Sequence, residues 1–281
     1  MKLHPDQAAA LAKLLASPKF EIIPLKNALE QAAFLPPGST VTVTASPSKG
    51  LDATLELAEV LAGQNFSVVP HLSARMVKDR SHLRAILHRL DLLGIKRAFV
   101  VGGDANDPGS YPDGLSLLRD MAEIDHSIEE VGIPGYPEGH AYIPEGKLLQ
   151  ALHDKLPYSD YIATQMCFHP AAIIGWITYV RDEGIDLPIH LGAPGVAEIT
   201  KLISIATSVG IGDSMRYLRK NSKLLGRLVR PGAYSADVLL EDLAAVMTAP
   251  DFDIQAIHVF TFNRIADTQA WIERVLTDIG Y

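Results

Sequence analysis

A single cysteine, Cys167, stands in this chain of 281 residues. That excludes an internal disulfide and a cysteine-built zinc cluster. No apolar run approaches the roughly 20 residues that a bilayer span requires. There is no G-x-S-x-G elbow, no P-loop and no G-x-G-x-x-G, which argues against hydrolase, kinase and Rossmann chemistry. Basic residues are in deficit, 25 Lys and Arg against 33 Asp and Glu, for a formal charge of −8. An acidic balance of this kind argues against nucleic acid as a partner, while leaving room for a local basic pocket facing a small anion. Linkers rich in Gly, Ser or Pro, sequence repeats and low-complexity tracts are also missing, so one domain over residues 1–281 is expected. The opening "MKLHPDQAAALAKLL" lacks a signal-peptide cleavage pattern and reads as an amphipathic helix. The expectation is a soluble cytoplasmic protein without membrane contact, with monomer and homo-oligomer both open.

What is abundant is apolar: 48% of residues are hydrophobic and 21% charged, ample for a large core. Eight short segments are rich in β-branched or aromatic residues: 20–25, 40–45, 66–72, 97–104, 129–136, 161–168, 187–193 and 257–262. Helical patterns lie between them. In "DRSHLRAILHRLDLLG", Leu83, Ile86, Leu87 and Leu90 recur at helical spacing, with Asp79 as N-cap and Gly94 at the C-terminal end. Strands alternating with helices mean a parallel sheet, and eight such units in this length predict a (β/α)8 barrel. An open doubly wound sheet is the alternative, because periodicity does not show closure. Residues 210–253 exceed one barrel helix and predict two helices and a loop before the last strand.

Barrel chemistry sits at the C-terminal strand ends and the loops after them. Polar groups recur there: Glu21, Thr44, His71, Asp104, Tyr136 with Glu138 and His140, Gln165, His190, and Asn263 with Arg264. Each has a plain structural alternative. Glu21 interrupts an apolar strand; it either faces water at the strand's edge or is a carboxyl kept protonated for general-acid work. Asp104 either starts a turn or faces a ligand brought close by Gly102 and Gly103. His71 and Gln165 either satisfy the core or bind. His169 and His190 lack partners at metal-ligand spacing, so no metal site is expected.

Taken in order, these strand ends resemble the methylenetetrahydrofolate reductase family from about residue 20 to the C-terminus. "FEIIP" is similar to the first-strand motif whose Glu is the general acid, at Glu21. "TVTA" places Thr44, and "VPHLSA" places His71, beside a flavin. "GGDANDP" stands where the family has Arg-Gly-Asp, putting Gly103 and Asp104 at flavin and folate. "YPEGH" is very close to the motif whose Tyr and His touch flavin, here Tyr136 and His140, and Tyr111 takes a further place around the ring. "ATQMCF" resembles the motif whose Gln holds the pterin, at Gln165. "FTFNR" resembles the closing motif, which brings Phe262, Asn263 and Arg264 to the substrate side.

The resemblance implies reduction of 5,10-methylenetetrahydrofolate to 5-methyltetrahydrofolate, with NAD(P)H as reductant and FAD as the bound cofactor. It also implies an acid role for Glu21 and a charge-stabilising role for Asp104. The chain departs from the pattern at the cofactor's phosphate end. Gly102 replaces the family's Arg, and the basic pair before strand six aligns near His153 and Asp154, with Lys49 and Arg75 as possible substitutes. Two readings follow: FAD held by altered tail contacts, or hydride passed directly from NAD(P)H. A folate-dependent methyltransferase or a bare folate- or flavin-binding protein is the alternative of another class.

Overall fold

The eight apolar segments become strands β1 (Lys19–Ile22), β2 (Thr40–Val43), β3 (Ser67–Ser73) and β4 (Arg97–Val101). They continue as β5 (Glu130–Gly135), β6 (Tyr161–Thr164), β7 (Ile189–Pro194) and β8 (Ile254–Phe260). In this computed structural model, which describes residues 1–198, 202 and 235–281, all neighbouring strands pair in parallel and β8 pairs back to β1. The sheet is therefore a closed barrel in chain order, not an open sheet. Six of the expected strands run long at their C-terminal ends, while β3 and β7 each extend one residue beyond expectation; β1 stops at Ile22, two residues before Pro24, a residue that cannot donate to a ladder.

Helices α1 (Pro5–Leu15), α2 (Ala28–Ala32), α3 (Gly50–Gly63), α4 (Arg80–Leu92) and α5 (Gly114–Ala122) accompany the first four strands. Helices α6 (Glu145–Lys155), α7 (Pro170–Asp182), α8 (Asp237–Met247) and α9 (Ile265–Asp278) accompany the rest. The caps of α4 are those expected. The Asp79 carboxylate accepts from the His82 N–H at 2.8 Å. At the other end the N–H groups of Gly94 and Ile95 return to the carbonyls of Asp91 and Leu90, the hydrogen-bond pair of a Schellman motif. The opening amphipathic helix is α1, which turns Leu11, Leu14 and Leu15 inward and packs on α8 and β8. Of the two helices expected within 210–253, α8 is described, and the remainder lies outside the described residues. Among the described residues no helix is long and apolar enough to cross a membrane.

Strand periodicity of two divides the molecule into two interiors. Phe20, Ile22, Val41, Val43, Val68, Leu72, Ala98, Val100, Ile133, Ile162, Leu191, Ile257 and Val259 point outward into the layer beneath the helices, where nearly all are fully buried. Their alternating neighbours point to the barrel axis, and these are mostly polar. Among the described residues Val69, Phe99, Tyr161 and Ala163 form an apolar cluster there, with Val101 against it. Axial room for the Tyr161 ring comes from Gly132, its register partner on β5. A Cβ at Gly132 would fall within the Tyr161 ring. The ring has no escape, because His190 stacks on it at 3.8 Å and the Lys19 ammonium lies 4.7 Å from its centroid. Gly132→Ala is therefore expected to destabilise the fold by about 1–3 kcal/mol through overpacking, read as a lower thermal midpoint; an unchanged midpoint would contradict the wedge.

Candidate functional site

Glu21 sits on the inward face of β1, flanked by the outward Phe20 and Ile22, with a side chain 13% exposed. Its Oε2 lies 3.0 Å from His258 Nε2 on β8 and 3.9 Å from His71 Nε2 on β3. The carboxylate thus stands between two imidazoles inside the barrel mouth, not at a solvated edge. His258 belongs to the inward set of β8, with Ala256 and Phe260. Reading "IHVF" for that alternation, with Ile257 and Val259 outward, would have found it; the motif at the strand's end drew attention away.

The backbone carrying Glu21 is clamped by the segment after β8. Thr261 Oγ1 donates to the Glu21 carbonyl at 2.5 Å. Asn263 accepts from the Ile23 N–H at 2.8 Å and donates to the Ile23 carbonyl at 2.9 Å. Asn263 is only 3% exposed and reaches this pose with φ +56°, next to Phe262 at φ +52°. Left-handed backbone is costly for a bulky residue such as Phe, so the pairing with Ile23 holds a local strain. Phe262 is buried in the core, and Arg264 directs its Nε to Asp267 at 2.8 Å.

On the neighbouring strands, three buried polar atoms have no hydrogen-bond partner among the described residues: Thr42 Oγ1, His71 Nε2 and Ser73 Oγ. Orphaned polar atoms are rare in a finished core, and together they mark the interior beside β2 and β3 as a place for a polar ligand. Thr44 follows β2, its N–H bonded to the Ile22 carbonyl at 3.0 Å. Gly103 has φ +85°, and a Cβ there would collide with Ser73 Oγ; the loop after β4 is held against β3 by a residue that must be Gly. It carries the exposed Asp104. Asp104 is close enough to Tyr136 to add to the effect of burial, which pushes the phenol to about 12. Tyr136 meets His140 edge-on, centroids 5.2 Å apart at 87°. Gln165 follows β6 and donates its N–H to Gly135, the last residue of β5. The residues expected at the site therefore occupy consecutive strand ends of one rim.

Some expected cofactor contacts have other commitments. Tyr111 is buried and donates its hydroxyl to Asp120 at 2.6 Å, which also receives Arg80. Arg75 donates to the carbonyls of Ala105, Asn106 and Pro112, so it pins the Asp104 loop. Asp154 receives the Gln150 amide at 2.8 Å. The positions expected around a flavin ring thus carry polar side chains, with three hydrogen-bonding atoms nearby unfilled among the described residues, whereas Arg75, expected toward the cofactor's phosphates, is engaged by backbone carbonyls. His169 Nδ1 accepts from the Ala172 N–H and caps α7, and among the described residues no group of three or more His, Cys, Asp or Glu side chains is arranged to hold a metal ion.

Burial lowers His71 from its ordinary 6.5 to about 4, with Glu21 opposing and His258 assisting the shift. His190 is lowered to about 2, by burial first and then by Lys19, His258 and Arg97. Both rings are neutral near neutrality, so His71 faces Glu21 as a dipole, not as a cation. Because the unfolded chain takes up protons near pH 6.5 while the folded one resists, stability falls as pH drops from about 7 toward 4. In His71→Asn one of these two contributions is gone. The thermal midpoint of that variant should therefore depend less steeply on pH across this window; an unaltered slope would place the titration elsewhere.

The solved structures similar to this chain include oxaloacetate acetylhydrolase in complex with 3,3-difluorooxalacetate, with TM-score 0.51 and 10% identity over 98% of this chain and 86% of that one. A second is 2,3-dimethylmalate lyase, with TM-score 0.50 and 11% identity over 97% of this chain and 86% of that one. At such identity they report a shared barrel and nothing of the chemistry. Among curated proteins, methylenetetrahydrofolate reductase 1 of Schizosaccharomyces pombe is 30% identical over 126 residues, 41% of this chain and 20% of the yeast protein. Methylenetetrahydrofolate reductase 2 of Saccharomyces cerevisiae is 36% identical over 74 residues, 25% of this chain and 12% of that protein. The matched stretches thus span a fifth or less of those relatives' lengths. The family profile described as methylenetetrahydrofolate reductase matches residues 24–275, nearly the whole barrel. By that match the chain belongs to the methylenetetrahydrofolate reductase family.

Proposed function

We propose that the protein reduces 5,10-methylenetetrahydrofolate to 5-methyltetrahydrofolate, with NAD(P)H as the source of the hydride. The observation that carries this reading is the Glu21 carboxyl in the barrel mouth, 3.0 Å from His258 and 3.9 Å from His71. The one-carbon bridge of the substrate joins two nitrogens. A proton delivered to the leaving nitrogen breaks one carbon–nitrogen bond and leaves an iminium cation; a hydride added to that carbon completes the methyl group. Glu21 is the proton donor, and His258 at hydrogen-bonding distance is the group through which its proton is replaced. His71 stays neutral beside them and adds no positive charge against the developing cation. Asp104, exposed on its loop, offsets that cation and holds the pterin, while Gln165 reads the pterin amide edge and Phe262 and Arg264 complete the substrate side. Tyr136 and His140 form the wall across the rim from Glu21.

FAD, if bound, supplies a hydride carrier between NAD(P)H and folate, with its ring against Thr44, His71, Gly103, Tyr136 and His140. Direct transfer from NAD(P)H in the same place is a second reading, favoured by Arg75 and Asp154 being engaged within the protein. Glu21→Gln keeps shape and removes the acid. It is expected to lower kcat by about 10²- to 10⁴-fold with KM little changed; turnover equal to the parent protein sinks the assignment. The visible spectrum separates the hydride routes. Stoichiometric flavin bands with activity support the relay, and a colourless preparation that is active and unaffected by added FAD supports direct transfer. No NAD(P)H-dependent reduction with or without FAD would favour a methyltransferase or a binding protein.

A further inference from the structure

At the opposite, N-terminal mouth of the barrel the inward strand positions are charged. Lys19 opens β1, Arg97 opens β4, and both turn onto Glu130, which opens β5. Lys19 Nζ lies 3.3 Å from Glu130 Oε1, and Arg97 Nε 2.9 Å from Oε2. One carboxylate therefore answers two cations and has no oxygen to spare. Arg97 also donates Nη1 to Ser67, leaving Nη2 unengaged among the described residues. The second acid nearby, Asp160, has Oδ2 occupied by the Val131 N–H at 2.7 Å. Lys13 on α1 adds a third cation at the rim and has no ion-pair partner among the described residues.

These groups surround a cavity of about 610 Å³, and a neighbouring one of about 810 Å³ shares Arg97, Glu130 and Asp160. His190, 5% exposed, lines the first cavity and keeps a buried Nδ1 without a hydrogen-bond partner among the described residues. Three cations against two engaged carboxylates make a local positive excess in a chain whose net charge is −8. The excess is one positive charge, with both carboxylates still facing the cavity, and a concave site with a surplus of cations can hold an anion.

We infer that this N-terminal mouth binds a small phosphate-type dianion, held by Lys13, Lys19 and the free edge of Arg97, with His190 Nδ1 as a further hydrogen-bonding group. A tetrahedral oxyanion offers acceptors toward all three cations at once, and a P–OH or P–O⁻ suits either tautomer of His190. Burial already lowers the Lys19 ammonium from its ordinary value, and an added anion would favour its charged form. The site lies at the end of the barrel away from the proposed folate chemistry and does not depend on that reading.

Inorganic phosphate, titrated against the full-length chain at ionic strength held constant with chloride, is the direct probe. A saturable rise in thermal midpoint, with a matching calorimetric Kd, is expected. Lys13→Glu at the exposed rim should weaken that Kd about fivefold or more. Arg97→Lys keeps the charge, loses the planar fork, and should weaken it also. Stabilisation by phosphate no greater than by chloride would overturn the inference. So would a Kd unchanged in Lys13→Glu and Arg97→Lys, since phosphate would then be sitting elsewhere, such as the C-terminal rim.

Discussion

The seam between β1 and β8 is the constraint on which the active end of this barrel rests. Closure there uses the strand ladder and, beyond it, side chains that reach across to the backbone of the first strand. Asn263 answers both the N–H and the carbonyl of Ile23, Thr261 holds the carbonyl of Glu21, and His258 meets the Glu21 side chain. Each bond of this kind adds on the order of 1 kcal/mol. Their larger effect is geometric, because the proton transfer proposed for Glu21 requires a carboxyl whose position is fixed to a fraction of an ångström.

Polarity is distributed along the barrel axis in a way that hydrophobic strands do not suggest. The apolar cluster of Val69, Phe99, Tyr161 and Ala163 lies between a charged N-terminal mouth and the Glu21 end. Aromatic contacts bridge the two: His71 lies 4.7 Å from Phe99, Phe99 lies 6.2 Å from Tyr161, and Tyr161 stacks on His190. Keeping His71 and His190 neutral limits the charge that this interior must carry, and it leaves Glu21 and Glu130 as the acids facing it. An interior of this composition is less stabilising than an aliphatic one, since buried polar groups contribute only when fully paired. The outward layer beneath the helices supplies the hydrophobic stabilisation instead.

Much of this was legible in the residues. All eight strands and the caps of α4 followed from β-branched runs, helical spacing and an Asp–Gly frame, because those signals are local. Glu21 and His71 were visible as polar interruptions of apolar strands. His258 was not, since a single His inside "IHVFTF" has meaning only once strand alternation and the neighbour across the seam are known. Arg75 was equally opaque: a basic residue after a strand reads as a phosphate ligand until three carbonyls of another loop are found around it. Tyr111 and Arg264 are each also engaged by an acid, Asp120 or Asp267, contacts that the sequence alone did not foretell.

The Glu21–His258 contact joins residues 237 positions apart in the chain. Nearly the whole polypeptide must therefore be in place before the acid has its partner, and contacts of such separation form late and slowly. Intermediates with an open sheet would leave the Glu21 carboxylate facing water at an unpaired strand edge, where it discourages pairing with other chains. The carboxyl proposed as the proton donor of the closed ring thus also acts as a guard during assembly, and under that proposal activity would report that the ring has shut.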